Sequence, residues 1–333
     1  MTRDEAPLLL TIADSVELWN RKFADLNVRT VVTIGNFDGV HLGHQRILQS
    51  VNDWVSLKGN LNKKAEQLIP TVLTFYPHPA RVLRPASAPP LLDTLPQRLT
   101  AFEAAGIHAV LVLKFDEQLA KVTAEDFARI YLAETLRARA VLVGENFRFG
   151  HKQVGDVKLL EELGRRWDFE VQVVPPVVLD GTTVSSTAVR RAVCEGEVAH
   201  AAKLLGRPFA LAGEIKTGTG QGRKLVVPTL NLSTEQECLP KYGVYATESV
   251  VAGKLYRSAT NIGVRPTFDG LRLAIESHLF DFSDDLTSGP MEVRFWKRLR
   301  DERKFSGPEA LREQVLRDIS DARSYFSSLA QSA

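Results

Sequence analysis

His41 and His44 stand three residues apart around Leu42-Gly43, behind an apolar β-branched run and a glycine-bearing turn, VVTIGNFDGVHLGH over residues 31–44. Val31 to Ile34 read as a buried strand, Gly35 and Gly39 permit tight backbone, and from Leu42 apolar residues return at helical spacing. The loop therefore opens onto a helix N-terminus, whose unpaired N–H groups and partial positive charge suit an anion, with two imidazoles adding donors around it. Loops behind buried strands are where α/β sheets bind ligands. The plain alternative is a pair of polar residues capping a surface helix. The segment is neither G-x-G-x-x-G nor G-x-x-x-x-G-K-[ST], so dinucleotide and P-loop fingerprints do not account for it.

The elements that must position this loop follow from the pattern around it. From residue 31 to about 185, apolar runs alternate with helical patterns: VVTIG, TVLTFY (71–76), AVLVLKF (109–115), AVLVGEN (140–146) and FEVQVV (169–174). Continuous apolar runs belong to parallel strands covered on both faces, so an α/β, doubly wound, Rossmann-like domain is expected. Thr94-Leu95-Pro96-Gln97 forms a capping box with proline in the first turn and launches a helix through Ala105. Two short helical patterns follow Ser186, broken at Gly196 and ended by Gly206-Arg207-Pro208. The expected domains are residues 1–205 and 206–333. In the second, short alternating strands separated by Gly, Pro and Asn predict a small antiparallel β-barrel. Ser306-Gly307-Pro308-Glu309 then starts a terminal helix with Leu311, Val315, Ile319 and Tyr325-Phe326 on one face.

Further stretches carry usable chemistry. Ser185-Ser186-Thr187 with Arg190 puts hydroxyls ahead of a cation at a helix start, either a phosphate site or a simple N-cap beside an exposed arginine. Asn146-Phe147 follows a strand and offers a polar group and an aromatic face, for a flat ligand or for the core. Gly218, Gly220 and Gly222 with Arg223 and Lys224 precede Pro228-Thr229-Leu230-Asn231; alone they read as a turn-rich hairpin. Thr229 and Asn231, two apart on an extended strand, face one side and can offer oxygen ligands to a hard cation. Glu276 shares a strand face with His278, opposite Leu273, Ile275 and Leu279, as a solvated carboxylate or a base.

His41-Leu42-Gly43-His44 resembles the H-x-G-H signature of nucleotidylyltransferases. Together with TFYPHP (74–79), VGENFRFG (143–150), VSSTAVR (184–190) and VPTLNL (227–232), the chain from about Val31 to Arg323 resembles the bacterial bifunctional riboflavin kinase/FAD synthetases. That resemblance implies two ATP-using reactions. Riboflavin would be phosphorylated to FMN in the C-terminal barrel, and FMN adenylylated to FAD with release of pyrophosphate in the N-terminal domain. It implies ATP at Gly35, Asn36, Phe37, Asp38, Gly39, His41 and His44 and at Ser185, Ser186, Thr187 and Arg190, with flavin at Asn146 and Phe147. Asp38 either structures the turn or touches ATP. For the kinase it implies ATP at Gly218, Gly220, Gly222, Arg223, Lys224, Thr229 and Asn231, Mg²⁺ on Thr229 and Asn231, Glu276 as base and Arg300 toward flavin. His41, His44 and Glu276 are the catalytic set. The chain departs from the family pattern at Asn146, where many relatives have Asp, and at Val226-Val227 in place of Gly-Phe. It also lacks the tyrosine common near Thr287. The competing reading is a nucleotidylyltransferase for another phosphate ester with a flavin-sensing C-terminal module.

Composition narrows the partners to small molecules. The 333 residues carry 42 Lys plus Arg against 40 Asp plus Glu, with net charges of −1 up to Ser185 and +3 after it. Neither half forms the concentrated basic stripe of a nucleic-acid binder. Cys194 and Cys238 are 44 positions apart in no C-x-x-C cluster, so neither a disulfide framework nor a zinc site is expected. Acidic residues precede the leucine run near the N-terminus, unlike a signal peptide, and no apolar run reaches the roughly 18 residues of a membrane span. A cytoplasmic enzyme is expected; oligomeric state is not legible.

Overall fold

The structure, a computed structural model, describes residues 10–24, 26–59, 67–216, 227–267, 270–284 and 286–332. It divides into two compact units, Met1–Pro89 with Asp93–Val184, and Pro90–Leu92 with Ser185–Ala333.

The first unit is built on a six-stranded parallel sheet: β1 (Thr11–Ala13), β2 (Val28–Ile34), β3 (Gln67–Tyr76), β4 (Ala109–Lys114), β5 (Ala138–Gly144) and β6 (Glu170–Val174) in the order β1-β4-β3-β2-β5-β6. Its helices are α1 (Val16–Phe23), α2 (Leu42–Gly59), α3 (Pro79–Leu83), α4 (Leu95–Ala104), α5 (Ala124–Phe127), which continues as a π-helix over Ala128–Thr135, and α6 (Val157–Arg166). Val31, Val72, Val110 and Leu142 pack on one face with Leu48, Val51 and Trp54 of α2 and Phe102 of α4. Val32, Leu73, Leu111 and Val141 pack on the other with Trp19, Phe23, Leu132, Leu160 and Leu163. Burial on both faces is why these strands read as unbroken apolar runs. The expected capping box is present: Thr94 Oγ1 accepts from Gln97 N, and the Gln97 side chain accepts from Thr94 N at 2.8 Å. The chain leaves β2 for β3 and β4 on one side and returns to β5 on the other. The carboxyl ends of β2 and β5 therefore flank the switch point where such sheets hold ligands. The edge strand β1 was not expected, and a short hairpin of β7 (Val178–Leu179) and β8 (Thr182–Thr183) precedes the second unit.

The second unit opens with α7 (Ser186–Glu195) and α8 (Val198–Leu205), ending on left-handed Gly196 and Gly206. Six antiparallel strands follow: β9 (Phe209–Lys216), β10 (Leu230–Thr234), β11 (Gly243–Val251), β12 (Lys254–Thr267), β13 (Gly270–Leu279) and β14 (Pro290–Asp301). They close a barrel in the order β10-β13-β12-β11-β14-β9. The terminal helix α9 (Pro308–Ser332) lays Ala322 and Phe326 on Ala246, Ala259 and Phe280. Inside the barrel, fully buried Thr247, Ser258, Thr260 and Ser277 satisfy one another: Thr247 meets Ser258 at 2.8 Å and Thr260 at 2.6 Å, and Thr260 meets Ser277 at 2.7 Å. Ser277 thus takes an inner position between Ile275 and Leu279, while Leu273 is exposed instead of buried with them.

The division by packing falls at Val184/Ser185, earlier than the boundary after residue 205 expected from the sequence. Helix α8 packs against the barrel strands β14 and β9, α7 packs on α8, and the three residues Pro90–Leu92 join that unit.

Candidate active sites

The loop after β2 is held in a conformation that few side chains adopt. Phe37, Val40 and Gly39 have φ of 51°, 36° and 87°, and two non-glycine residues in this region mark a backbone that its surroundings must stabilise. Phe37 is fully buried, edge-on to Phe102 at 5.4 Å and to His44 at 5.1 Å. Asp38, also buried, accepts from Asp93 N at 3.1 Å. Beneath the loop lies Arg98 of α4, only 3% exposed, donating from Nη1 to the Asn36 carbonyl at 2.7 Å and, more weakly, to Thr74 Oγ1 at 3.4 Å. Burial lowers its pKa, and Asp38, Asp93 and Tyr76 oppose that shift; it stays a cation. Sequence reasoning missed Arg98. Its signal was a charged residue four before Phe102 on the buried face of a helix.

His41 and His44 are brought together as expected. Their rings stack at 3.7 Å and 17°, and His44 N donates to His41 Nδ1 at 3.3 Å. His41 Nδ1 must then carry a lone pair, so a neutral His41 has its proton on Nε2. Gly43 explains itself: a Cβ there would stand 3.1 Å from both Nδ1 and Cε1 of His41. Burial first and the neighbouring His41 second hold His44 well below the ordinary imidazole pKa, and its buried Nδ1 has no hydrogen-bond partner. A neutral imidazole with an unused buried polar atom beside a helix N-terminus fits a ligand that supplies charge and acceptors, such as a triphosphate.

At the end of the adjacent strand β5, Phe147 N donates to the Gly144 carbonyl at 3.0 Å in a tight turn. Asn146 is exposed. Phe147 is part-buried, stacked at 5.5 Å and 15° on core Phe149, so one ring face joins the core. Ser185 caps α7 by accepting from Ala188 N at 3.2 Å, and Arg190 Nε donates to the Pro90 carbonyl at 2.7 Å. Ser185, Ser186, Thr187 and Arg190 thus belong to the second compact unit, whereas Gly35–Gly39, His41 and His44 lie in the first.

In the barrel, Glu276 is the register partner of Asn231 on β10 and of Asn261 on β12. Directly opposed residues share a sheet face with Cβ atoms about 4.5–5.5 Å apart, so the carboxylate stands between two amides. Asn261 was not anticipated; only its register reveals it. Thr229 is exposed, immediately ahead of β10. His278 Nδ1 donates to the Pro228 carbonyl at 2.9 Å and so ties the P-T-x-N segment to the strand of Glu276. The oxygen donors of Thr229 and Asn231 are neutral and hard, which suits Mg²⁺ arriving with nucleotide phosphates. Gly218, Gly220, Gly222, Arg223 and Lys224 lie outside the described residues. Arg300 is engaged within the fold: Nε and Nη2 form a two-point pair with buried Asp318 at 2.8 and 2.7 Å, and its guanidinium lies 5.7 Å over Phe305. It shares a register row with Val244 and Asn261. Among the described residues no helix is long and apolar enough to cross a membrane.

Two family models match the chain in succession, FAD synthetase over residues 24–188 and riboflavin kinase over residues 205–326. The bifunctional riboflavin kinase/FMN adenylyltransferase of Escherichia coli (strain K12) is 35% identical over 297 residues, 89% of this chain and 92% of that protein. The protein of the same description from Pseudomonas fluorescens is 38% identical over 296 residues, 88% of this chain and 92% of its own length. A solved structure described as a macrolide-efflux protein from Streptococcus pneumoniae matches with a TM-score of 0.80 and 28% identity over 93% of this chain and 97% of that one.

Proposed function

Because the chain belongs to the family of bifunctional riboflavin kinase/FMN adenylyltransferases, we propose that it makes FMN from riboflavin and ATP, then FAD and pyrophosphate from FMN and a second ATP. We assign adenylylation to residues 1–205 and phosphorylation to residues 206–333. Helices α7 and α8 are assigned to the first reaction by their Ser-Ser-Thr start although they fall in the compact unit of the barrel. The observation that carries this reading is that one chain holds two unlike chemistries: a stacked histidine pair in which His44 is held neutral, and a carboxylate flanked by two amides.

That difference matches the nucleophiles. The phosphate of FMN is already anionic and needs no base, so adenylylation calls for alignment and for donors where charge develops on the triphosphate. His41 Nε2 and His44 supply such donors. Arg98 holds the loop by the Asn36 carbonyl, and Gly43 leaves room for the His41 ring. Riboflavin instead presents a hydroxyl whose proton must leave as the phosphoryl group arrives. Glu276 accepts that proton at a carboxylate oxygen, Asn231 and Asn261 orient the carboxylate, and His278 fixes Pro228 so that Thr229 and Asn231 face the nucleotide. Mg²⁺, carried on ATP and held by Thr229 and Asn231, would neutralise phosphate charge. Asn146 and Phe147 take the flavin of the adenylylation reaction, and Ser185, Ser186, Thr187 and Arg190 are assigned to binding its ATP. The cytoplasm, with its ATP supply, is the compartment this reading implies.

Pure protein incubated with riboflavin, ATP and Mg²⁺, with products resolved by chromatography, tests the assignment. Sequential appearance of FMN and FAD supports it, and production of neither overturns it.

A further inference from the structure

The two cysteines of this chain, 44 positions apart, meet in the fold. Cys194, exposed near the end of α7, and Cys238, fully buried after β10, have their Sγ atoms 3.8 Å apart. The expectation of no disulfide framework rested on their sequence separation and on the absence of a C-x-x-C cluster; no disulfide joins them in the structure, but the fold brings the two thiols together.

The backbone around the pair is fixed from both sides. Lys241 N donates to the Val193 carbonyl at 3.3 Å, so the chain after Cys238 is tied to the last turn of α7. Cys238 N donates to the Leu91 carbonyl at 3.0 Å, the Glu237 carboxylate accepts from Leu91 N at 3.0 Å, and Gln236 Nε2 donates to the Leu92 carbonyl at 2.7 Å. From the other direction, Arg190, one turn before Cys194 on α7, donates to the Pro90 carbonyl. Helix α7 and the segment 236–238 thus grip the same three residues, Pro90–Leu92, and each grip ends in a thiol. One thiol is reachable by an oxidant and the other is not, the arrangement of an attacking and a resolving cysteine.

We infer that Cys194 and Cys238 form a reversible intramolecular disulfide that responds to the thiol–disulfide balance and cross-links α7 to the segment after β10. With glutathione disulfide as oxidant, the Cys194 thiolate attacks one of its sulfurs, making a mixed disulfide and expelling a glutathione thiolate. The Cys238 thiolate then attacks Cys194 Sγ and expels the second. Two protein thiols and one glutathione disulfide become one protein disulfide and two glutathiones. Two electrons pass to glutathione, and the two thiol protons end on the released thiolates. Closing the sulfurs from 3.8 Å to the roughly 2.05 Å of a disulfide draws on the last turn of α7, and with it Arg190. On the proposed reading that α7 begins with an ATP-binding Ser-Ser-Thr, oxidation shifts adenylylation and spares riboflavin phosphorylation.

The test treats the full-length protein with glutathione disulfide, alkylates remaining thiols under denaturing conditions and measures intact mass. Wild type should lose two hydrogen atoms, carry no glutathione and resist alkylation; with only two cysteines in the chain, the bond is then assigned. Cys238→Ser should stop at a single glutathione adduct, and Cys194→Ser should not react. A wild type that also stops at the adduct overturns the inference, and this outcome is independent of what α7 binds. The oxidised protein should melt several degrees higher than the reduced one, as closure of a loop this long implies. Its KM for ATP in FMN adenylylation should rise about threefold or more, reversed by thiol reductant, with kinase turnover within about twofold. A disulfide that forms and leaves adenylylation unchanged retains the bond and overturns its effect on activity.

Discussion

Asn231 and Glu276 are direct partners across the antiparallel pair of β10 and β13, and Glu276 is in turn the partner of Asn261 on β12. A carboxylate so placed can be oriented from both sides, and on the proposed reading its oxygens take the proton of the riboflavin hydroxyl. Glu276→Gln keeps the shape and the amide contacts and removes the proton acceptor. Riboflavin phosphorylation should fall by roughly 10²–10⁴, measured as FMN formed per enzyme, while FMN supplied directly is still converted to FAD. Kinase turnover within a few-fold of wild type would remove Glu276 from the role of base.

His278 reaches the same site indirectly, through the Pro228 carbonyl at 2.9 Å. His278→Phe keeps a ring and deletes the donor. One net hydrogen bond is worth about 1 kcal/mol, so the KM for ATP of the kinase reaction should rise about fivefold with kcat less affected. An unchanged KM would mean the P-T-x-N segment holds its position without this tether.

Arg98 makes the corresponding prediction for the other loop. Arg98→Met preserves much of the buried volume and removes the donor to Asn36, a charged hydrogen bond of roughly 1.5–3 kcal/mol. FMN adenylylation should drop by at least about tenfold, and riboflavin phosphorylation should be unaffected. Equal loss of both activities would indicate a general folding defect instead of a local one.

His44 is held neutral by burial and by His41. An unperturbed imidazole is roughly three-quarters protonated at pH 6; the His44 ring resonances in the free protein should instead remain those of the neutral form there. Above the ordinary imidazole pKa neither state carries the proton and stability is intact. As pH falls below it, the unfolded chain takes up a proton that the folded site refuses, so stability is lost toward acid. His44→Gln should lessen that acid-side loss. A His44 titration near 6.5 would show that the site does not exclude charge.

The sequence carried the parallel sheet, the barrel and the terminal helix because each is written in local pattern: unbroken runs where both faces are buried, alternation where one is, and a Thr94–Gln97 box at a helix start. The histidine pair was legible for the same reason, since three-residue spacing on a helix start leaves little choice of geometry. What was not legible depends on register or on distant packing. Asn261 faces Glu276 only because two strands align, Arg98 meets Asn36 across 62 positions, and Cys194 meets Cys238 through the packing of α7. The placement of α7 with the barrel is of that kind too: its Ser-Ser-Thr start pointed to the first domain, and its apolar face, Val189, Ala192 and Val193, did not say which core would bury it.

The central claim, two independent chemistries on one chain, is tested most directly by His44→Ala supplied with riboflavin, ATP and Mg²⁺, following FMN and FAD by chromatography over time. On the proposed reading the imidazole serves only the triphosphate of adenylylation, where loss of one such donor costs roughly 10²–10³ in rate. FMN should form at close to the wild-type rate and accumulate, with FAD nearly absent. FAD formation at a near-normal rate, or loss of FMN together with FAD in a protein that melts like wild type, would contradict the account.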